Sequence, residues 1–213
     1  MSWSVVDGMA QNAPPYDGMI PGFHGDFLVD HFMATLLPDF GYACEIGALD
    51  GVTSSVCLHF EEKGWVVLCV EPNPLHEESG RAARKLWRSV AAGAENGRAT
   101  YTADTAGLKY ASNSGLAPRL WPYREDAQAF EVEVRTVDRL LEEAGFPRLD
   151  LLTIDTEGWE PEILSGCSLE RWKPTVVCFE DVGTKLPVPD GYAEVGRFHV
   201  DRVFRRLDRG GAL

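Results

Sequence analysis

Short apolar runs alternate with amphipathic segments along most of the chain. The apolar runs predict buried strands, and apolar positions that recur every three or four residues predict helices. Strands are predicted at residues 65–70, 89–92, 99–102, 130–134, 149–154, 175–179, 192–195 and 203–206, and one more ends in a glycine turn within residues 44–52. Helices are predicted over residues 27–37, 52–63, 81–88, 137–144 and 160–166. This alternation is typical of an α/β protein.

Two of the predicted helices carry clear end signals. Thr136 has the side chain of an N-cap for the helix over residues 137–144. Glu160 and Glu162 flank Pro161 in a first helical turn, where the helix dipole favours acids and proline costs nothing. Gly166 ends that helix.

The order of elements predicts a mostly parallel sheet with helices on both faces, finished by an antiparallel C-terminal hairpin. Ligands of such sheets bind at the carboxyl ends of the strands. Several acidic or glycine-containing segments follow predicted strands and are therefore expected along one edge: Glu45 to Gly51, Glu71, Asp155 and Glu180-Asp181.

Residues 1–22 are rich in glycine and proline without sustained periodicity, so an irregular N-terminal arm is predicted there. Residues 23–213 are predicted to form a single domain, because their length and composition suit one hydrophobic core. The stretch 104–131 is too long for a plain connection, and such loops often act as lids or substrate loops. Its notable side chains are Tyr110, Asn113, Ser114, Trp121 and Tyr123.

The run C-E-I-G-A-L-D-G-V at residues 44–52 is typical of a strand that ends in a glycine turn before a helix. The next apolar run ends in Glu71, 24 residues beyond Gly47. An acid at this distance can reach the ribose hydroxyls of a bound nucleoside. An ordinary glycine-containing turn remains the alternative, and the addition of Glu71 favours a cofactor site.

The glycine spacing indicates which nucleoside is bound. Dinucleotide folds use G-x-G-x-x-G, in which the second glycine makes room for a pyrophosphate. Leu49 occupies that position here, so only Gly47 and Gly51 remain. S-adenosylmethionine has no phosphate, and the turn therefore fits this cofactor better than NAD.

The net charge is −13, from 33 acidic and 20 basic residues. A field of this sign repels phosphate backbones and anionic membranes, so we expect a small-molecule substrate and neither nucleic acid nor a membrane. The chain has no apolar stretch of membrane-spanning length and no signal-peptide pattern. The sequence carries no signal for an oligomeric state.

The five cysteines are odd in number and form no C-x-x-C pair. Three of them lie in apolar runs that read as strands. They are expected to be buried, reduced thiols, as in a cytoplasmic protein.

Three acids at predicted strand ends, Asp155, Glu180 and Asp181, could hold Mg²⁺ through oxygen ligands. A metal ion would lower the pKa of an acceptor hydroxyl. Without a metal, Asp155 or Glu157 could act directly as the general base. Acids at strand ends also often cap helices or face water. His24 and His31 precede the core and could reach the site from the first helix, but they are weaker candidate bases, because a lone histidine is more often a surface or packing residue.

Several stretches resemble the FkbM family of S-adenosylmethionine-dependent methyltransferases. They are E-I-G-A-L-D-G at residues 45–51, G-W at 64–65 running into V-E-P-N-P at 70–74, T-V-D at 136–138, and 149–166 with its I-D-T-E-G core. Together these stretches cover roughly residues 42 to 180. The resemblance implies the class I Rossmann-like fold and transfer of a methyl group, most often to oxygen.

The resemblance also implies roles for individual residues. Gly47 and Gly51 are expected to border the methionine part of the cofactor, Glu71 to bind its ribose hydroxyls, and Ala91 and Ala92 to lie near its adenine. The full candidate set for cofactor binding is Glu45, Gly47, Ala48, Asp50, Gly51, Glu71, Pro72, Ala91, Ala92 and Asp155.

One departure from the family pattern concerns residues 182–191, where glycines and prolines replace a usual helix. A more open substrate pocket is expected there. The acceptor could be a sugar, a polyketide, another small natural product or a protein. A catalytically silent cofactor-binding protein remains an alternative, although it would not need Asp155 and Glu180. An NAD-dependent oxidoreductase or epimerase is disfavoured, because it predicts a third glycine.

Overall fold

The computed structural model describes residues 3–6, 9–12, 22–104, 114–116, 127–182 and 186–207. The strands within these residues are β1 (Trp3–Val6), β2 (Met9–Asn12), β3 (Tyr42–Ile46), β4 (Val66–Val70), β5 (Leu86–Arg88), β6 (Ala91–Ala92), β7 (Gly97–Ala103), β8 (Gly115–Leu116), β9 (Gln128–Arg135), β10 (Leu151–Ile154), β11 (Val176–Glu180), β12 (Tyr192–Phe198) and β13 (Asp201–Arg206). The helices are α1 (Val29–Ala34), α2 (Leu58–Glu62), α3 (Glu77–Ala83), α4 (Val137–Glu143), α5 (Glu160–Ser165) and α6 (Leu169–Trp172), with 3₁₀ turns at Asp26–Leu28 and Pro74–His76.

The main sheet, over the described residues, has the strand order β1-β2-β12-β13-β11-β10-β3-β4-β5. The five strands from β11 to β5 in this order pair in parallel. β13 runs antiparallel to both β11 and β12. The prediction of a mostly parallel sheet with a C-terminal antiparallel hairpin is confirmed. The arrangement is consistent with a Rossmann-like methyltransferase fold.

Successive residues of the central strands point to opposite faces, and each face is covered by helices. In β4, Leu68 and Val70 belong to the core that packs against α4 and α5. Val67 and Cys69 belong to the core on the other face, against α1 and α2. The alternation explains why these strands are apolar throughout, because a sheet covered on both sides has no solvent face.

A second, smaller sheet has the order β6-β9-β7-β8. β6 and β7 follow each other in sequence, yet both pair with β9 instead of with each other. Tyr101 and Leu116 contribute to its small apolar core. β6 brings Ala91 and Ala92 close to the carboxyl end of the main sheet.

Three helix predictions were wrong in extent. The segment 27–37 is helical only in α1, because Phe27 and Leu28 have left-handed φ values of 53° and 61°. The segment 52–63 is helical only in α2, because Asp50 and Glu45 bind the preceding N–H groups of Val52, Thr53 and Cys57 in a turn. The segment 81–88 is also divided. α3 ends at Ala83 and residues 86–88 form β5, since pairing with β4 supplies backbone hydrogen bonds that outweigh local helix propensity.

The N-terminal arm is also more regular than predicted. β1 and β2 form an antiparallel hairpin, and β2 extends the main sheet by pairing in parallel with β12. In the stretch 104–131, Tyr110, Asn113, Trp121 and Tyr123 lie outside the described residues. Ser114 is described, and its hydroxyl oxygen accepts the N–H of Asp104 at 2.8 Å.

Between β11 and β12, the described residues 182 and 186–191 contain no helix, in agreement with the prediction for this segment. The five cysteines are buried and form no disulfide, also as predicted. Across the described parts of the chain, no helix combines the length and apolar character needed to cross a membrane.

Candidate functional site

The glycine turn after β3 is fixed against the end of β10. Gly47 has a φ of 86°, a conformation that favours glycine. A β-carbon at this position would overlap the carbonyl oxygen of Asp155. The Asp155 N–H in turn donates to the carbonyl of Ile46 at 3.0 Å. The turn and the acid that follows β10 are therefore joined directly.

Glu71 follows β4 and lies beside the same turn. Its carboxylate accepts the backbone N–H of Leu49 at 3.0 Å and that of Asn73 at 2.8 Å. Burial raises the pKa of Glu71 to about 7, although the two hydrogen bonds favour the ionised form. The side chain is therefore oriented by the backbone and titrates near neutral pH.

A cleft of about 410 Å³ opens at the carboxyl ends of β3, β4, β10 and β11. This volume lies in the range of small-molecule and cofactor sites. The small sheet borders the cleft through Ala91, Ala92, Tyr101 and Leu116. Its other lining residues are Asp26, Ile46, Gly47, Leu49, Thr53, Ser54, Glu71, Pro72, Asn73, His76, Ser114, Gly115, Asp155, Thr156, Glu157, Trp159, Ile163 and Glu180.

Six of the predicted cofactor-binding residues line this cleft: Gly47, Glu71, Pro72, Ala91, Ala92 and Asp155. The other four do not line it. Glu45 is buried and bonds the side chains of Ser55 and Arg84. Ala48 is buried, Asp50 binds the N–H groups of Val52 and Thr53, and the Gly51 carbonyl accepts from Arg84. These four residues support the turn from the side that does not line the cleft.

Three carboxylates meet at the edge formed by β10 and β11. Oxygens of Asp155, Glu157 and Glu180 all lie within 4.8 Å of one another. Asp181 lies outside this group, because its carboxylate accepts from the buried guanidinium of Arg202 at 2.9 Å. The geometry does not support the prediction that Asp181 completes a metal-binding set, and Glu157 takes its place.

The carboxylates of this group influence each other's protonation. Asp155 is open to the cleft, yet the protein atoms around its carboxylate, together with the charge of Glu160, raise its pKa. Burial and the Asp155 charge raise the pKa of Glu180. One Glu180 oxygen is buried without a hydrogen-bond partner among the described residues. The pair therefore favours a shared proton or a bound cation, because two adjacent carboxylates repel each other.

Glu160 organises the turn between β10 and α5. Its side chain is buried, and one oxygen accepts the N–H groups of Thr156 and Gly158 at 2.9 and 3.2 Å. The same oxygen accepts the Thr156 hydroxyl. Glu157 has a φ of 59°, so this turn is held in a left-handed conformation that directs its residue into the cleft. The sequence predicted Glu160 as a first-turn acid but not this role.

Sequence reasoning missed several other residues of the cleft. Asn73 follows Glu71 by two positions and caps the 3₁₀ turn through Leu75 N–H at 3.0 Å, a signal that was readable from N-P-L. Asp26 and Trp159 had no distinguishing pattern around them. They reach the cleft because the segment before α1 and the start of α5 pack beside it.

The two histidines considered as bases do not line the cleft. His24 Nε2 lies 3.0 Å from the Glu62 carboxylate. His31 packs its ring against Phe23 at 4.4 Å between centroids. Asp26, from the same part of the chain, lines the cleft instead.

A parallel sheet with a glycine turn, a following acid and a cleft at the strand ends defines a class of α/β proteins that bind their ligands at the carboxyl ends of the strands. Within that class, residues 45–203 match the Methyltransferase FkbM domain family. The match covers more than half of the chain, so the protein belongs to this family. Family membership supports methyltransferase activity. Curated proteins include no sequence that matches the chain.

Proposed function

We propose that the protein is an S-adenosylmethionine-dependent O-methyltransferase that acts on a hydroxyl of a small molecule or a sugar, with assistance from Mg²⁺. The observation that carries this proposal is the composition of one cleft. Its β3–β4 side offers a glycine turn and Glu71, and its β10–β11 side offers three carboxylates. Cofactor binding and proton removal can therefore occur in adjoining parts of the same cleft.

The cofactor half of the cleft suits a nucleoside without phosphate. Leu49 stands where a pyrophosphate would need bare backbone, and its N–H is already bonded to Glu71. In its ionised form, the Glu71 carboxylate can accept hydrogen bonds from the two ribose hydroxyls. Ala91 and Ala92 offer small apolar walls beside Ile163 for a flat base. S-adenosylmethionine, when bound, supplies the methyl group on a good leaving group.

The acceptor half must align a hydroxyl and remove its proton. Where no metal ion is bound, Asp155 is the proposed base, because its backbone packs against the glycine turn and its carboxylate faces the cleft beside Glu180. In the metal-free protein, the protein atoms around its carboxylate and the charge of Glu160 raise its pKa towards the working range of a general base, although Asp155 is open to the cleft. Glu157 is the alternative base in the same turn.

The donor set of Asp155, Glu157 and Glu180 fits a hard cation, since all three offer carboxylate oxygens. The Glu180 oxygen without a partner among the described residues supports this assignment, because a buried acceptor needs a donor or an ion. Mg²⁺ held there would lower the pKa of a nearby acceptor hydroxyl. The three residues would also orient that hydroxyl.

The proposal is tested by the melting temperature with S-adenosylhomocysteine or S-adenosylmethionine, with NAD as the control and each with and without Mg²⁺. A ligand at about 100 times its Kd adds roughly 2.7 kcal/mol of stability, or about 5 to 10 °C here. We expect the adenosyl compounds to raise the melting temperature and NAD to leave it unchanged. A further Mg²⁺-dependent gain should disappear in Asp155→Ala.

The acceptor is identified by supplying labelled S-adenosylmethionine with panels of sugars and hydroxylated small molecules and measuring labelled product. Transfer that depends on Asp155 supports the full proposal. A cofactor-dependent melting shift with no transfer to any panel would favour a silent cofactor-binding protein. A shift with NAD alone would overturn the proposal.

A further inference from the structure

A buried ionic network lies behind the glycine turn. The side chain of Arg84, at the end of α3, is fully buried between Glu45 and Glu61. Its Nη1 donates to the Glu45 carboxylate at 2.9 Å and to the Gly51 carbonyl at 3.0 Å. The same nitrogen lies 3.0 Å from the Ser55 hydroxyl. One arginine thus holds a strand end, a turn and the loop that follows.

The loop from Gly47 to Cys57 has an unusual backbone. Leu49 and Ser54 have φ values of 50° and 54°, and Gly51 has a φ of 85°. Left-handed conformations of non-glycine residues cost free energy and persist only when the surroundings impose them. Besides Arg84, Glu45 binds the Cys57 N–H at 3.0 Å. The loop is therefore held at its turn and at its end.

The strained part of this loop faces the cleft. Leu49, Thr53 and Ser54 line the cleft, whereas Glu45 and Arg84 do not. Arg84 therefore acts on the cleft only through the backbone that it fixes. Its Nη2 has no hydrogen-bond partner among the described residues, although it is buried. A network that leaves a buried donor unsatisfied is poorly explained by stability alone.

We infer that Arg84 is a positioning residue for cofactor binding, which fixes the left-handed loop that presents Leu49, Thr53 and Ser54 to the cleft. The inference rests on the proposed function for the identity of the bound molecule. Without Arg84 the loop relaxes, and binding must then restore the strained backbone. Affinity for the cofactor falls while the chemical step is preserved, because Arg84 contacts no lining carboxylate of the acceptor half.

Three variants separate positioning from general stability. Arg84→Met removes the guanidinium and leaves two buried acids uncompensated. Arg84→Met with Glu45→Gln and Glu61→Gln removes all three charges, so stability should recover in part. Arg84→Lys keeps the charge but cannot hold Glu45, Gly51, Ser55 and Glu61 together. Arg202→Met is the matched control, because Arg202 is also buried between two acids, Asp181 and Glu194.

The affinity for S-adenosylhomocysteine is measured by calorimetry together with the free energy of unfolding. We expect Kd to rise about tenfold or more in all three Arg84 variants. The triple variant without the three charges should still bind the cofactor weakly, although its stability recovers. In the Arg84 variants, kcat at saturating cofactor should change less than KM. Arg202→Met should lose stability with an unchanged Kd. If Kd instead follows stability across these variants, the inference is overturned.

A second measurement does not depend on any ligand. Hydrogen exchange of the Leu49 and Cys57 amides in the ligand-free protein reports the loop directly. Faster exchange of both in Arg84→Lys, with unchanged protection in β10, supports the inference even if the wild type binds no adenosyl compound and the proposed function fails. Unchanged loop exchange overturns it. If Arg84→Met does not fold, the measurements are made on Arg84→Lys instead.

Discussion

The backbone N–H of Leu49 donates to the carboxylate of Glu71 at 3.0 Å, which ties the turn after β3 to the acid after β4. The bond orients one Glu71 oxygen, and the Asn73 N–H at 2.8 Å orients the other. Two N–H groups thus hold the buried carboxylate in one orientation where it lines the cleft. The acid is preorganised for a ligand before any ligand arrives.

We predict that cofactor affinity weakens in acid. Burial raises the pKa of Glu71 to about 7, so below this pH a bound nucleoside must displace a proton. Because the ribose needs an ionised acceptor, Kd rises as pH falls below about 7, by up to about tenfold per pH unit. Calorimetric titration of S-adenosylhomocysteine from pH 5.5 to 8.5 measures this dependence.

Glu71→Gln is the control for this titration. The variant cannot ionise, so its Kd should be higher than that of the wild type at pH 8 and nearly independent of pH. A wild-type Kd that is flat across neutral pH would contradict the assignment of Glu71 to the ribose.

Gly47→Ala should be far more harmful than Gly64→Ala, although both glycines have left-handed φ values, of 86° and 94°. A β-carbon on Gly64 has nothing near it, so only the backbone cost of about 1–2 kcal/mol applies. A β-carbon on Gly47 overlaps the Asp155 carbonyl and must displace the end of β10. We expect a loss of roughly 3 kcal/mol or more.

Chemical denaturation of the two alanine variants measures this difference. Cofactor binding should also be lost in Gly47→Ala and kept in Gly64→Ala. Equal losses of stability would show that the close approach of Gly47 to Asp155 is not tight in solution.

Asp155→Asn should strongly reduce methyl transfer and remove the effect of Mg²⁺. The substitution keeps the size of the side chain but removes a carboxylate that is the proposed Mg²⁺ ligand or, without the ion, the proposed base. We expect activity to fall by about 100-fold or more, the usual contribution of a general base. Glu162→Gln is the control, since Glu162 lies in the first turn of α5, outside the three-carboxylate group.

Product formation under saturating cofactor, with Mg²⁺ varied and then removed by EDTA, measures both effects. Retained activity in Asp155→Asn with normal Mg²⁺ dependence would assign base and ligand to other residues, with Glu157 as the next candidate.

Glu180→Gln should stabilise the metal-free protein while weakening its response to Mg²⁺. Burial and Asp155 raise the pKa of Glu180 in the folded state, so its stabilising contribution is present below the unfolded pKa and is lost as pH rises. At pH 8 the neutral amide removes the free-energy cost of keeping an acid with a raised pKa in the folded state. A gain of about 1 kcal/mol corresponds to a melting temperature higher by about 2–4 °C.

Melting temperatures at pH 5 and pH 8, with and without Mg²⁺, test this expectation. The gain should be larger at pH 8 than at pH 5. A destabilised variant at pH 8 would mean that Glu180 accepts hydrogen bonds that outweigh its repulsion from Asp155.

Local sequence signals predicted those elements whose stability is local or follows from burial. Thr136 caps α4 by accepting the Arg139 N–H, and Gly166 ends α5. The apolar runs became the buried central strands. The signals failed at residues 81–88, where amphipathic spacing suggested a helix. Leu86 to Arg88 instead pair with β4, and no local pattern specifies that long-range pairing.

The residues of the candidate site also fall into two groups, those that the sequence predicted and those that only the tertiary structure revealed. The sequence by itself determined the glycine turn, Glu71 and Asp155, because parallel strands bring their carboxyl ends to one edge. Only the tertiary structure decided that Glu45 faces Arg84 and that Asp181 faces Arg202. Successive residues at a strand end point to opposite sides, so adjacent acids such as Glu180 and Asp181 separate into a cleft residue and an ion-pair partner. Which side meets a guanidinium depends on segments distant in sequence.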